Sequence, residues 1–332
     1  MMRKVRNWQL VQIATYLCSV LLILVLLVKG ELGLHLFWDL LIPLAPAIFV
    51  LIPGVWRNIC PLSVQAQLPK LLGFATRVRF GSRVQAYIQM ASLCLLLFFI
   101  PLRHLSLNHD AVVTAFVLLG FALMAYLGGS LSLGKSGWCN GLCPVQQVEK
   151  YYGHNPLLEV ENAHCNACTF CVKKCNDSDN IVELSKKVGG KLETWSEFIL
   201  VAGFPGFVLG WFLVPDFHLS IGFSEVLRAY GIPFLGLIAS VGIYTYSNKV
   251  LNISKMKLRN LFALCALSIY YWFRIPALVG YGLFPGDGML FDCTAYISYQ
   301  QVLLAQVMVT LFWIYHFLFK NVSTRSWSLR PA

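Results

Sequence analysis

Charge is the scarcest thing in this sequence. Only 12% of its 332 residues are Asp, Glu, Lys or Arg, against about 25% in an ordinary soluble domain. With 58% of the chain apolar, a water-soluble fold of this length would have to bury more apolar surface than its size permits. Disorder is excluded on the same grounds. Three signatures are also missing: the Walker A loop, the G-x-G-x-x-G fingerprint and any Ser–His–Asp arrangement. Nucleotide-driven and hydrolytic chemistry therefore have nothing to stand on. Nucleic-acid binding has no motif behind it either.

What is present is length and apolarity in the right units. The mean hydropathy is +0.66, and aromatic residues make up 14% of the chain. A bilayer core about 30 Å thick needs roughly 20 apolar residues of helix. Eight such runs occur, near 10–29, 33–53, 85–102, 111–133, 195–214, 227–247, 260–280 and 297–319. Lipid offers no hydrogen bonds to the backbone, so each is expected to be a helix. Pro43, Pro46, Pro205, Pro233 and Pro276 fall inside them and predict kinks. The first run follows Arg3, Lys4 and Arg6 but is long and has no small-residue cleavage site after it, so it reads as an anchor.

The cations test that count. With the N-terminus inside, the inner segments are 1–9, 54–84, 134–194, 248–259 and 320–332, and they hold 22 of the 26 Lys and Arg. The other four are Lys29, Arg103, Arg228 and Arg274. This is the positive-inside pattern. It predicts an all-α, multi-pass protein of the cytoplasmic membrane with both termini inside. Three parts follow: residues 1–133 with spans one to four, an inner segment at 134–194, and residues 195–332 with spans five to eight.

Six of the eleven cysteines crowd into that inner segment. Cys165, Cys168, Cys171 and Cys175 form C-x2-C-x2-C-x3-C, the bacterial ferredoxin spacing. Three thiolates so spaced wrap three corners of an iron–sulfur cube, and the fourth commonly faces another cluster. Disulfides do not suit a reducing compartment. Zinc favours separated C-x2-C pairs. Upstream, Trp138-Cys139-Asn-Gly-Leu-Cys143-Pro144 ends span four as Trp56-Arg-Asn-Ile-Cys60-Pro61 ends span two, with Val145-Gln146 and Val64-Gln65 beyond. Spans one–two and three–four thus read as two hairpins, each delivering a tryptophan and a Cys-Pro step to the inner surface. The first copy is one residue shorter and has no counterpart of Cys139.

The Cys139–Pro144 loop beside a ferredoxin run on a multi-span scaffold resembles the membrane polyferredoxins. That superfamily includes the quinol-dehydrogenase subunit of periplasmic nitrate reductase systems, the nitrous oxide reductase maturation regulator and the accessory polyferredoxin of cytochrome oxidase assembly. The resemblance covers roughly residues 35–185. It implies [4Fe–4S] chemistry with Cys60, Cys139, Cys143, Cys165, Cys168, Cys171 and Cys175 as ligand candidates. The chain departs from the superfamily pattern in having one ferredoxin run, in Asn176 after Cys175, and in Trp56 four residues before Cys60.

Seven inner cysteines are enough for one cluster and one short of two. Cys165, Cys168 and Cys171 would be joined by Cys175 or by a Cys-Pro cysteine. In a two-cluster arrangement, Cys60, Cys139, Cys143 and Cys175 would share the second site, and His164 would complete the first. Cys18, Cys94 and Cys265 read as apolar fillers. Within the spans, Asp39, Arg274 and His316 are costly enough to need a reason: an Asp39–Arg274 pair, interhelical hydrogen bonds, or a quinone head-group site with His35. His35 and His316 lie near opposite faces, which excludes a haem held between them.

The expected function is membrane-bound electron transfer between a redox partner on the cytoplasmic side and either the quinone pool or a membrane enzyme, as a subunit more than as a stand-alone enzyme. Lys173 and Lys174 would dock an acidic carrier. The alternatives are an assembly factor that reduces a metal or thiol, and a transporter or scaffold with a structural or sensory cluster.

Overall fold

A computed structural model describes residues 2–76, 78, 80–132, 137–153, 155–158, 160–161, 163, 191–217, 222–320 and 328–329. The ferredoxin run, with His164, Lys173, Lys174 and Asn176, lies outside them. The described chain is helical, and eight helices are long and apolar enough to cross a bilayer: Asn7–Val28, Gly30–Leu51, Arg83–Leu107, Ala111–Leu131, Lys191–Phe212, Phe223–Lys249, Lys255–Leu278 and Tyr299–Phe319. We number them spans one to eight. Among the described residues, extended pairing is confined to an isolated bridge between Val78 and Ser132 and two parallel residue pairs, Val160–Ser328 and Glu161–Leu329.

Span five is the central helix, with 56% of its apolar window buried, and span one is the outermost, with 6%. Leu10, Ile13, Leu17, Leu21 and Leu24 stand exposed on span one, a surface suited to lipid tails and not to water. The core runs through Val50, Leu93, Leu96, Leu200, Phe262, Leu267, Trp313 and Phe317, from spans two, three, five, seven and eight. Spans five and six approach most closely. A side chain at Gly206 or Gly236 would collide with the other's carbonyl, and one at Gly210 would meet Ile232 and Pro233. Ser240 Oγ donates to the Ala202 carbonyl across this crossing at 2.6 Å. Small residues that let two backbones meet are how helices associate where no hydrophobic effect drives them together.

Several spans are not α-helical throughout. π-helical turns occupy His35–Leu41 of span two, Arg103–Leu107 of span three, Ile199–Gly203 of span five and Tyr315–Phe319 of span eight. Such turns re-aim side chains and recur at functional sites. The turn in span three carries the helix five residues past Leu102, where the apolar run ends. Arg103 belongs to the span and is buried, whereas the sequence alone assigns it to an outer loop.

Candidate functional site

Spans two and four end at the same face of the bundle, and the two Cys-Pro steps follow them. Cys60 and Cys143 have nearly one backbone conformation, φ −59° and ψ 119° against φ −62° and ψ 117°. Each precedes a proline that opens a helix, Pro61–Gln65 and Pro144–Tyr152. Proline suits a first helical position because its missing N–H is not needed there. In each loop the cysteine carbonyl accepts the N–H three residues on, Ser63 to Cys60 at 3.0 Å and Gln146 to Cys143 at 3.2 Å.

The extra residue of the second copy has a local explanation. The Cys60 N–H donates to the Trp56 carbonyl at 2.8 Å, an α turn; the Cys143 N–H donates to the Trp138 carbonyl at 3.0 Å, one residue further, a π turn. Tryptophan and cysteine thus correspond in both copies. Arg57, not Trp56, stands where the second copy has Cys139. Alignment on the cysteines also sets Ser63 opposite Gln146, so the Val-Gln match in the sequence is off register by two.

The two loops lie against each other. Cys139 Sγ donates to Ser63 Oγ at 3.5 Å, and Leu62 packs with Cys139, Leu142 and Cys143 around Trp138, Ala66 and Ala125. Burial and the neighbouring Cys139 push the Cys60 thiol up to about 12, against the pull of the Ser63 and Leu62 N–H groups. Burial, with Cys60 and Cys139 nearby, pushes the Cys143 thiol up as well. A buried ion pair joins the copies: Arg57 Nε donates to Glu149 Oε1 at 2.7 Å, and both side chains are nearly inaccessible.

Span three supports the second loop with a polar stripe that sequence reasoning missed. Gln85 Nε2 donates to the Asn140 carbonyl at 2.7 Å, Ser92 Oγ to the Cys143 carbonyl at 2.8 Å, and Gln147 Nε2 to the Gln89 carbonyl at 3.5 Å. The signal was legible, since 85, 89 and 92 share one helix face. Gln146, 2% exposed, has neither amide atom paired among the described residues, and Asn140 Oδ1 and Gln147 Oε1 are likewise without partners there. Buried amides are normally paired, so the unpaired amide atoms of Asn140, Gln146 and Gln147, which flank Cys143 in sequence, would suit a polar group held there. No three His, Cys, Asp or Glu side chains among the described residues are in metal-holding geometry.

The membrane-embedded polar residues divide between the two ends. Arg274 Nη2 donates to Asp39 Oδ1 at 2.7 Å and to the Trp38 carbonyl at 2.6 Å, and His35 Nδ1 lies 2.8 Å from Asp39 Oδ2. These are remote from the cysteines. His316 is buried at the cysteine end, packed on Phe317 and Trp313. Gln301 completes the N-terminal cap of span eight with Ser298, Gln306 donates to the Trp272 carbonyl, and Gln300 is exposed. Cys293 stands alone beyond span seven.

Compared with known proteins, the chain matches no family model, no curated protein and no solved structure.

Proposed function

We propose that this multi-pass membrane protein is an iron–sulfur electron-transfer subunit. In this reading it works at the cytoplasmic face, between a redox partner there and the quinone pool or a membrane enzyme. One observation carries it. The Ala163 N–H donates to Asn58 Oδ1 at 3.0 Å, so the chain is tied to the first Cys-Pro loop two residues before Cys165 and two residues before Cys60. That anchor supports a shared site for the ferredoxin run and the Cys-Pro loops.

Cys165, Cys168 and Cys171 hold the cluster in this proposal, and a Cys-Pro cysteine supplies the remote ligand. A [4Fe–4S] cluster held there supplies one-electron chemistry. The N–H groups of Leu62, Ser63, Val145 and Gln146, at the helix starts beside the two thiols, favour the thiolate form. The Gln146 amide is a further donor, and hydrogen bonds of this kind tune cluster potential. Arg57 and Glu149 fix the two loops against each other. Lys173 and Lys174 attract an acidic carrier.

Iron per protein and the spin signal of the reduced state test this. Cys168→Ser should lower iron sharply and bleach the visible absorption. Either Cys60→Ala or Cys143→Ala should do the same, while Cys175→Ser keeps most of the iron. Unchanged iron in Cys168→Ser sinks the cluster itself. Unchanged iron in both Cys-Pro variants, with loss in Cys175→Ser, overturns the remote ligand.

A further inference from the structure

At the end of the bundle away from the cysteines, spans two, three, five and seven enclose a cavity of about 330 Å³. Its walls are aromatic, with Trp38, Trp211, Phe212 and Phe273 among them. Two of the π-helical turns, His35–Leu41 and Arg103–Leu107, deliver His35, Asp39, Arg103 and His104 to it.

Three of the four carboxylates lining the cavity are satisfied from within the protein, and the fourth, Glu31, is exposed. Asp39 is held by Arg274 and His35. Asp216, on the chain beyond span five, is met by His104 Nδ1 at 2.6 Å and by Asn108 Nδ2 at 2.8 and 2.9 Å. Asp287 Oδ2 accepts the Asp216 N–H at 2.8 Å.

Arg103 is different. It is 8% exposed. Its guanidinium lies 4.0 Å from the ring centre of Trp38 and 4.9 Å from that of Trp211. Its Nε donates to Asn108 Oδ1 at 3.0 Å. Two indoles and Asn108 thus hold the guanidinium, but the two Nη groups have no acceptor among the described residues. A strut between spans would use that fork; here it is held rigid and left open. A desolvated cation with unused donors is costly, and a planar fork with two parallel N–H groups matches a carboxylate above other anions.

We infer that this cavity binds a small organic monocarboxylate, with its carboxylate on the Nη groups of Arg103 and its apolar body against the aromatic walls. Of the two arginines lining the cavity, Arg274 is paired with Asp39, whereas the Nη groups of Arg103 have no carboxylate on them among the described residues. A second negative charge on the ligand would stand against Asp39, Asp216, Asp287 and Glu31, which line the same cavity. The inference stands apart from the iron–sulfur reading, since the cavity and the cysteines lie at opposite ends of the bundle.

Trp38 and Trp211 flank the binding group, so the purified protein in detergent reports occupancy through its own fluorescence. Benzoate should quench it saturably and raise the melting temperature, and benzamide, neutral and of the same shape, should bind about tenfold or more weakly, as expected for loss of a charge-assisted bond. Arg103→Gln should remove the preference for benzoate over benzamide. Arg103→Lys, which keeps the charge without the fork, should retain only part of it. Equal responses to the two probes, no saturable response to benzoate, or an undiminished preference in Arg103→Gln would overturn the inference. Should Arg103→Gln fail to fold, the wild-type melting shifts and the lysine variant decide, because an undiminished preference in Arg103→Lys also rules out the fork.

Discussion

Cys60 and Cys143, 83 residues apart, share one backbone conformation, and the carbonyl of each accepts the N–H three residues on, in the helix that its following proline begins. The Cys-Pro loops are therefore two copies of one device, joined by the buried Arg57–Glu149 pair.

That pair should be costly to break and cheap to replace. Arg57→Ala or Glu149→Ala leaves a buried charge without its main partner and should cost about 3–5 kcal/mol. The double variant Arg57→Met with Glu149→Leu should recover most of it. Melting of the four proteins in detergent gives the coupling directly. Equal losses in the single and double variants would mean that the pair does not hold the loops.

The Cys60 thiol gives a pH signature in protein prepared without metal. Its folded value, about 12, lies above the ordinary thiol value of about 8.5. The folded state therefore holds this proton more tightly than the unfolded one. The resulting stabilisation is fully present below about pH 8.5 and is lost as pH rises toward 12. Alkylation of Cys60, followed by peptide mass, should keep climbing about tenfold per pH unit between 8 and 10, as befits a thiol still protonated there. A plateau near 9 would contradict the buried environment.

The crossing of spans five and six should not tolerate a methyl group. Gly236→Ala pushes Cβ into the Gly206 carbonyl and should cost about 1–3 kcal/mol, as overpacking does. Gly242→Ala, on the same span with open space at the Cβ position, should be neutral or slightly stabilising by helix propensity. Thermal melts of the two variants should diverge, and matching melts would refute the close approach.

Orientation is open to a direct test. Reporters fused after Arg330 and within residues 248–259 should be active in the cytoplasm, and alkaline phosphatase fused near Phe291 should be active on the other side. Phosphatase activity after Arg330 would require an odd number of crossings.

The eight spans were legible because an apolar run of membrane length has one cheap solution, and each run is a helix here. The end of span three was not. Hydropathy closes a span at Arg103-His104, but two indoles and Asn108 take up the guanidinium, Asp216 takes up the imidazole, and the helix continues as a π turn to Leu107. The Asp39–Arg274 pair could be guessed from two expensive residues in the outer halves of their spans. The cavity that they share with Arg103 could not, since its walls come from four spans distant in sequence. The Gln85–Gln89–Ser92 stripe was readable in principle as a polar face within an apolar helix.

The π turn at Trp138–Leu142 bears on how such loops can be recognised. Because a helix absorbs one added residue by widening a single turn, Trp and Cys keep their mutual hydrogen bond while the count between them changes from three to four. A fixed-spacing pattern finds one loop in this chain and overlooks the other. Written with a variable gap, Trp, three or four residues, Cys, Pro, the pattern captures both, with Cys139 opposite Arg57 and the gained residue falling between Asn140 and Cys143.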